Sequence, residues 1–399
     1  MKKLLYPLVA SALITIVPFL LTFEKGQDIV RGLFGFEYFA ILLFIVFFKK
    51  KRWFLIPLVA LLFTIAWLDL QNLLAIKGWN TGWYGLIPFA TCGIAIAMVW
   101  QIKPFKFNAI CFILFVALIL HLEANNQYAA QPLAQFPTID YLERSAPKPV
   151  QRGEIANEFY NKFTVTDSVT ITRNYVDTTR NNVIILVESW GIPLDIQRFE
   201  EQLKVFNNQT VVGIHNRMYS RTRTAEREDL IKSIIRDSVT RKRDTVFLPK
   251  IFSNIGHKTI FLFGGDSLEY QRHKYIKNIG FCETVYGKQT NNKISNDIQI
   301  ISKIDSMLAD TTQKHFIAWT TADTKFPLPG FASIYNSNAD DVDSAYTAQL
   351  TSTLLHIANL ASKHPKTRFI VQGDHNPILS PIKFQEQFYK RWVPFIVLN

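Results

Sequence analysis

The chain has 399 residues, enough for two or three domains, and a formal charge of +12 at neutral pH. That charge is uneven, because residues 1–122 hold a net +7 while the rest hold only +5 over more than twice the length. The excess positive charge flanks apolar runs, which argues against nucleic acid as a partner and is typical of a membrane protein.

Five apolar runs fill the first third of the chain. They span roughly residues 4–23, 33–48, 53–68, 82–100 and 107–122. A membrane helix needs about 20 apolar residues, so the first and fourth runs qualify outright and the other three are short. Trp53, Trp79, Trp83 and Trp100 lie at run ends, where interfacial aromatic residues are expected. The sequence therefore predicts a five-helix transmembrane domain over residues 1–122.

The basic residues predict the orientation of this domain. Three basic clusters flank the apolar runs, and successive clusters are two crossings apart: Lys2-Lys3, residues 49–52, and Lys103 with Lys106. Clusters two crossings apart lie on the same side of the membrane, and positive charge favours the cytoplasmic side for all three. With five crossings, everything after Leu122 is expected outside. The first run lacks a cleavage site with small residues, so we interpret it as a retained anchor.

Cysteine usage offers no disulfide framework to the exported half. Cys92 and Cys111 lie inside apolar runs, and Cys282 is alone in the remainder. The exported part must therefore fold on its hydrophobic core, which its length allows.

Strand and helix signals alternate through the exported half. Residues 123–180 are polar and proline-containing and predict a connector, and residues 181–399 predict a second domain. The predicted strands are Val183–Val187, Thr259–Gly265, His315–Thr321, Arg368–Gln372 and Phe395–Leu398. The predicted helices are Arg227–Arg236, Phe247–Ile255, Asp297–Leu308 and Ala348–Ser362. This alternation favours an α/β domain with a mostly parallel sheet and helices on both faces.

Two of the predicted strands end in residues that bind metals. Glu188 follows the first strand, and Asp374-His375 follows the fourth after Gly373. Ligands collect at the carboxyl ends of strands in open α/β sheets, and this donor set can hold a divalent cation. Adjacent residues of an extended strand point opposite ways, so both members of Asp374-His375 reach one ion only if the chain turns at Gly373.

Several segments of the second half, in the same order along the chain, resemble the lipoteichoic acid synthase-type branch of the alkaline phosphatase and sulfatase superfamily. The matching stretches are VIILVESWG (183–191), RTAEREDL (223–230), FLPKIFSNIGHKTIFLFGGDSLEYQRHKYIKNIGF (247–281), AWTTADTKFPL (318–328) and IVQGDHNP (370–377). They cover most of residues 180–399 in order and spacing. The resemblance implies five membrane helices followed by one exported catalytic domain with an alkaline phosphatase-like fold.

The resemblance also implies roles for the residues at the strand ends. Glu188, Asp374 and His375 match metal ligands. Thr224 matches the family's nucleophile, which also binds the metal, through a Thr-x-x-x-Glu pattern that ends at Glu228; Thr222 is the alternative in register. A threonine hydroxyl needs a cation beside it to act as a nucleophile at neutral pH.

Three further residues match the family's substrate-binding positions. Arg272 matches an arginine that contacts the substrate phosphate, and a guanidinium suits this role because it binds two phosphate oxygens at once. Tyr270 matches an aromatic residue that lines the same pocket. Lys325 stands where the family usually has a histidine; it can neutralise phosphate but is a poor general acid at its reference pKa.

The implied function is metal-dependent transfer of a phospho-head-group, either phosphoglycerol or phosphoethanolamine, from a membrane phospholipid to a glycan or lipid acceptor. It places the protein in the bacterial cytoplasmic membrane, with its catalytic domain on the extracytoplasmic side. Mn²⁺ is the expected cofactor, and the mixed oxygen and nitrogen ligands also admit Mg²⁺ or Zn²⁺.

Two alternatives remain from the sequence alone. One is a sulfatase or phosphodiesterase, although Thr224-Ala225-Glu226-Arg227 has neither the cysteine or serine nor the proline of a sulfatase motif. The other is a catalytically degenerate homologue that binds lipid head groups or a partner. Lys325 supports it, as does the segment Val393–Asn399, which resembles a strand beyond which the family normally continues.

Overall fold

A computed structural model of the chain describes residues 2–22, 35–77, 79–127, 154–206, 209–217, 220–236, 243–287, 296–328 and 339–399. Much of the predicted connector, residues 128–153, lies outside these ranges, as do small parts of the first two apolar runs. The chain divides into two compact units near residue 150.

The N-terminal unit is a set of apolar helices. They are α1 (Lys2–Leu21), α2 (Phe36–Phe47), α3 (Arg52–Lys77), α4 (Leu86–Trp100) and α5 (Phe107–Gln127). Three helical segments are long and apolar enough to cross a membrane, namely Leu4–Leu21, Arg52–Gln71 and Gly82–Trp100. The apolar parts of α2 and α5 are shorter than a bilayer requires within the described residues. Each predicted run contains a helix, and the count of five crossings stays a prediction.

The C-terminal unit contains ten strands within the described residues. They are β1 (Thr164–Thr166), β2 (Asn182–Val187), β3 (Gln209–Asn216), β4 (Ile231–Arg236), β5 (Arg243–Phe247), β6 (Lys258–Phe263), β7 (Glu283–Tyr286), β8 (His315–Thr320), β9 (Arg368–Gly373) and β10 (Trp392–Leu398). Its α-helices are α6 (Asn157–Lys162), α7 (Thr172–Tyr175), α8 (Ile196–Leu203), α9 (Thr222–Leu230), α10 (Leu248–Asn254), α11 (Arg272–Tyr275), α12 (Asn296–Ala309), α13 (Ala339–Lys363) and α14 (Ile382–Gln385).

Eight of these strands form one sheet in the order β1-β3-β10-β9-β2-β8-β6-β7, and β4 with β5 forms a separate hairpin. Every strand of the large sheet runs parallel to the others except β10, which is antiparallel to both neighbours. The predicted α/β domain with a mostly parallel sheet is confirmed.

Both faces of the sheet are covered, which explains the continuous apolar runs. All six residues of β2 are buried. Val183, Ile185 and Val187 belong to one core cluster with residues of α8, α12 and α13. Ile184 belongs to a second cluster with residues of α9 and α10. Strands between two helical layers have no polar face, so alternation is absent from their sequences.

The predicted helix Arg227–Arg236 is wrong. The helix starts five residues earlier, at Thr222, and ends at Leu230, and Ile231–Arg236 is strand β4. Isoleucines at 231, 234 and 235 favour a strand because branched side chains lose rotamer freedom in a helix. Strands β1, β3, β5 and β7 were not predicted. β1 lies within the predicted connector, so part of that segment belongs to the sheet.

Candidate functional site

The site forms where two central strands end side by side. β2 and β9 are parallel neighbours, and their register pairs Val187 with Gly373. The next residue on each strand, Glu188 and Asp374, therefore emerges at the same edge of the sheet. Both side chains are buried, with 1% and 0% of their surface exposed.

A turn follows β2 at Glu188 and Ser189, and β9 ends close to it at Gly373. A Cβ added at Gly373 would lie 1.9 Å from the carbonyl oxygen of Trp190, so this position requires glycine because the two backbones approach closely. Ser189 has φ of 59°, a left-handed conformation that is strained for residues other than glycine. Strain of this kind persists where the surrounding structure fixes it, and here it directs the Ser189 amide toward Asp374.

Backbone hydrogen bonds fix the orientation of the two ligands from β9. Asp374 Oδ1 accepts hydrogen bonds of 2.7 Å from the amides of Ser189 and His375, which leaves Oδ2 facing the site. His375 Nδ1 lies 2.7 Å from the carbonyl oxygen of Asn376. A carbonyl only accepts, so Nδ1 carries the proton and Nε2 is directed at the carboxylates. It lies 3.0 Å from Asp374 Oδ2 and 3.4 Å from Glu188 Oε1.

Thr222 is the hydroxyl residue that meets these groups. Its Oγ1 lies 2.7 Å from Asp374 Oδ2, 3.1 and 3.2 Å from the two oxygens of Glu188, and 3.1 Å from His375 Nε2. The sequence analysis favoured Thr224, which lies two residues further along α9 and is only half-buried. Residues two apart project about 200° apart around a helix, so both cannot face the site. The structure thus places Thr222, the alternative in register, at this cluster, and Thr224 outside it.

The three ligands fit a divalent cation. One ligand atom each from Glu188, Asp374 and His375 can be chosen such that all lie within 4.8 Å of one another. Bonds of about 2.0–2.2 Å to one ion would separate neighbouring ligand atoms by about 3.0–3.5 Å, in tetrahedral or octahedral geometry. The contacts among these residues and Thr222 range from 2.7 to 3.4 Å. These separations suit an ion without selecting Mn²⁺, Mg²⁺ or Zn²⁺.

The electrostatics of the site also call for a cation. Burial lowers the pKa of His375, but Asp374 and Glu188 outweigh burial and raise it to about 9. Burial, together with Glu188, raises the pKa of Asp374 to about 7. Burial opposes ionisation of Glu188 as well, yet His375, Arg272 and Lys325 hold its pKa below the usual value. An imidazolium satisfies the carboxylates in the metal-free protein, and a divalent ion would replace it.

Metal binding is therefore expected to release protons. Below about pH 9 the metal-free His375 holds a proton that must leave before Nε2 can bind a cation, and below about pH 7 Asp374 holds a second. As the pH falls from about 9 to about 7, the apparent dissociation constant of the metal ion should rise about tenfold for each pH unit, and it should rise more steeply below about pH 7. Calorimetry of Mn²⁺ binding at about pH 8, in two buffers of different ionisation enthalpy, should give about one proton per ion. Binding without proton release would contradict this.

Arg272 packs near Tyr270 and binds Glu226, which lies one helical turn along α9 from Thr222. Arg272 is fully buried, and its Nε donates a 2.9 Å hydrogen bond to Glu226, the residue four positions after Thr222. The guanidinium lies 3.4 Å from the ring centroid of Phe263 and 5.0 Å from that of Tyr270. Among the described residues, Arg272 Nη1 has no hydrogen-bond partner, although it is buried. A buried, unpaired guanidinium nitrogen is suited to an anionic oxygen.

Lys325 also lies near Tyr270. Its Nζ is 5.5 Å from the Tyr270 ring centroid and forms an ion pair with Glu269. Tyr270 has φ of 51°, a strained conformation, and both Arg272 and Lys325 lie near its ring. The structure thus brings all three predicted substrate-binding residues together, and sequence reasoning missed the Glu269 partner.

Two buried acids on α9 were also missed. Glu226 and Asp229 are 3% and 2% exposed, and they contact Arg272 and Arg217 respectively. Their spacing from Thr222, four and seven residues, was visible in the sequence and would have identified the inward face of the helix. Arg217 follows β3, an unpredicted strand, and no sequence pattern distinguishes it.

No family model and no curated protein matches the chain. Similar solved structures include the lipoteichoic acid synthase LtaP from Listeria monocytogenes, with 12% identity, a TM-score of 0.41, and coverage of 55% of this chain and 65% of that one. The C-terminal periplasmic domain of EptC from Escherichia coli, in complex with Zn, has 12% identity and a TM-score of 0.39, covering 55% and 72%. The phosphoglycerol transferase GacH from Streptococcus pyogenes, in complex with sn-glycerol-1-phosphate, has 12% identity and a TM-score of 0.38, covering 57% and 70%.

The matched region is less than two thirds of LtaP. A lipoteichoic acid synthase is also the type of protein that the sequence segments resemble. At 12% identity, the chemistry of the site rests on its own side chains.

Proposed function

We propose that the protein transfers a phospho-head-group from a membrane phospholipid to a hydroxyl acceptor, using the hydroxyl of Thr222 as the nucleophile. One observation supports this above all. A single buried hydroxyl lies within hydrogen-bond distance of three metal-binding residues, at the first residue of a helix. A hydroxyl that served only as a helix cap would accept hydrogen bonds from backbone amides and would need no such neighbours.

The transfer takes place in two displacements. Thr222 Oγ1 forms a bond to the phosphorus of the donor head group, and the bond from phosphorus to the diacylglycerol oxygen breaks. The hydroxyl proton leaves to solvent, because Asp374 Oδ2, which accepts the Thr222 hydrogen bond, would serve as a metal ligand. The leaving oxygen takes up one proton, so the charge balances. An acceptor hydroxyl then attacks the phosphorus and releases Thr222, which regains its proton.

Glu188, Asp374 and His375 would hold the divalent ion, for which Mn²⁺ is our expectation. When bound, such an ion supplies positive charge that favours the deprotonated hydroxyl and neutralises phosphate. Thr222 lies at the start of α9, where the free amides of the first helical turn also favour an anion.

Arg272, Tyr270 and Lys325 would bind the donor phosphate. Arg272 is held by Glu226 and by the ring of Phe263, so its Nη1 is preorganised to donate a hydrogen bond to an anionic oxygen. Lys325 adds a second positive charge, although its pairing with Glu269 reduces the net charge that a ligand meets.

The apolar N-terminal helices support a lipid donor. They would keep the site close to phospholipids at the extracytoplasmic face of the bacterial cytoplasmic membrane. The head group is phosphoglycerol or phosphoethanolamine, and the acceptor is the hydroxyl of a glycan or a lipid. Hydrolysis is the same chemistry with water as the second nucleophile.

Denaturing mass spectrometry after brief exposure to donor lipid and Mn²⁺ tests the proposal. Full-length protein should gain the mass of one phospho-head-group, and diacylglycerol should appear with it. Cleavage after lysine leaves both threonines on one peptide, residues 205–232, and fragmentation of that peptide assigns an adduct to Thr222 or to Thr224. An adduct on Thr222 is expected. An adduct on Thr224 would refute the assigned register, and the absence of both adduct and diacylglycerol would favour a degenerate homologue.

A further inference from the structure

The inward face of α9 holds three polar side chains, one on each turn. Thr222, Glu226 and Asp229 are four and seven residues apart, which is the spacing of a single helix face. None is more than 3% exposed. Thr222 reaches the metal ligands, Glu226 binds Arg272, and Asp229 binds Arg217. The position of the nucleophile is thus coupled to two buried arginines.

Arg217 has all five of its N–H donors satisfied while fully buried. Nη1 donates to Asp229 Oδ1 at 2.7 Å and to the carbonyl of Val169 at 3.1 Å. Nη2 donates to Asp229 Oδ2 at 2.9 Å and to the carbonyl of Gly373 at 2.7 Å. Nε donates to the same Gly373 carbonyl at 3.3 Å.

These contacts link the two halves of the candidate site. Gly373 directly precedes the ligand Asp374, and Asp229 lies on the helix that begins with Thr222. A single planar guanidinium therefore holds the end of β9 and helix α9 together. The 2.7 Å contact between Thr222 Oγ1 and Asp374 Oδ2 spans the same two segments.

We propose that Arg217 is a positioning residue that sets the distance between the Thr222 hydroxyl and the metal ligands. This role rests on the proposed function, and it makes Arg217 necessary for the rate of transfer and for metal affinity, not only for stability. A lysine cannot replace it, because an ammonium has three donors at one point and cannot form parallel bonds to a carboxylate while also binding two carbonyls.

Arg217→Lys in the full-length protein tests the proposal. Loss of a residue that orients metal ligands typically lowers affinity or activity by about 10–100-fold. We expect Mn²⁺ affinity, measured by calorimetry, to fall about tenfold or more. We expect kcat to fall by a similar factor with the donor KM within about twofold, because the bound lipid meets a displaced nucleophile.

Arg198→Lys is the matched control. Arg198 also pairs bidentately with an aspartate, Asp343, and donates to Gln387, but it binds no residue next to a metal ligand. It should lose stability while keeping Mn²⁺ affinity and kcat. If the two variants change only the melting temperature, or change affinity equally, Arg217 is a purely structural residue and the proposal fails.

Asp229→Asn covers the case in which Arg217→Lys does not fold. It keeps the shape of the side chain and one acceptor oxygen, and it is expected to lower Mn²⁺ affinity and kcat in the same direction. An unchanged affinity and rate in a folded Asp229→Asn protein would overturn the proposal. The calorimetric result holds even if wild-type protein transfers no head group, so failure of this inference and failure of the proposed function are distinguishable.

Discussion

Thr222→Ala is expected to abolish head-group transfer, whereas Thr224→Ala is expected to leave the rate within about threefold. Removal of a covalent nucleophile typically lowers kcat on the order of 10⁴-fold or more. Thr224 is half-buried on another side of α9, so its hydroxyl has no part in the proposed reaction. Release of diacylglycerol from labelled donor lipid, measured in detergent with Mn²⁺, distinguishes the two variants.

Thr222→Ser is the control for this experiment. It keeps the hydroxyl and removes one buried methyl group, so measurable transfer should remain. Activity in Thr222→Ala, or its loss in Thr224→Ala, would contradict the covalent mechanism. A melting curve for each variant separates loss of chemistry from loss of fold, because a variant that lacks only the chemistry keeps a cooperative unfolding transition.

His375→Ala should have the second largest effect, on metal binding. It removes the one nitrogen donor of the cluster that the described residues form, and it takes the imidazolium away from the buried carboxylates of Glu188 and Asp374. We expect Mn²⁺ affinity to fall by about 10²-fold or more, since even residues that only orient ligands change affinity by 10–100-fold. Metal content after dialysis, measured by mass spectrometry, reports this loss.

His364→Ala provides the comparison for that measurement. His364 pairs with Asp305 at 2.7 Å on a partly exposed surface away from the strand ends. Its removal should leave metal content unchanged. Equal metal content in wild type, His364→Ala and His375→Ala would refute the assignment of His375 as a ligand.

The strand ends of the site were accessible to sequence analysis because they follow from simple rules. Buried parallel strands appear as uninterrupted apolar runs, and residues just past their carboxyl ends share one edge of the sheet. Glu188 and Asp374 met both conditions. The sequence did not indicate that β2 and β9 are direct neighbours, because pairing depends on the whole sheet.

The threonine could not be assigned because the motif occurs twice in the same helix. Thr222 with Glu226 and Thr224 with Glu228 both satisfy Thr-x-x-x-Glu. Burial decides between them, and burial depends on which side of α9 packs on the sheet. Only the first pair continues to a buried acid at the seventh position, Asp229, where the second would reach Ile231.

The other differences between the predicted and the observed elements arose where the local sequence pattern does not determine the structure. β3 has an exposed first half and a buried second half, so it shows neither a continuous apolar run nor regular alternation. β10 was predicted as a strand, but its antiparallel direction depends on the preceding connection. The lengths of α2 and α5 leave the number of membrane crossings open.

The long sequence separations within the site have a consequence for how the domain acquires activity. Thr222 and Asp374 are 152 residues apart, and Ser189 and Asp374 are 185 apart. Contacts of such high sequence separation form slowly, because the chain between the two residues loses conformational entropy before the contact can stabilise the structure. No fragment of the sheet contains a complete site. Newly synthesised chains are therefore expected to remain inert until the central strands have joined, and ion capture should mark the end of maturation.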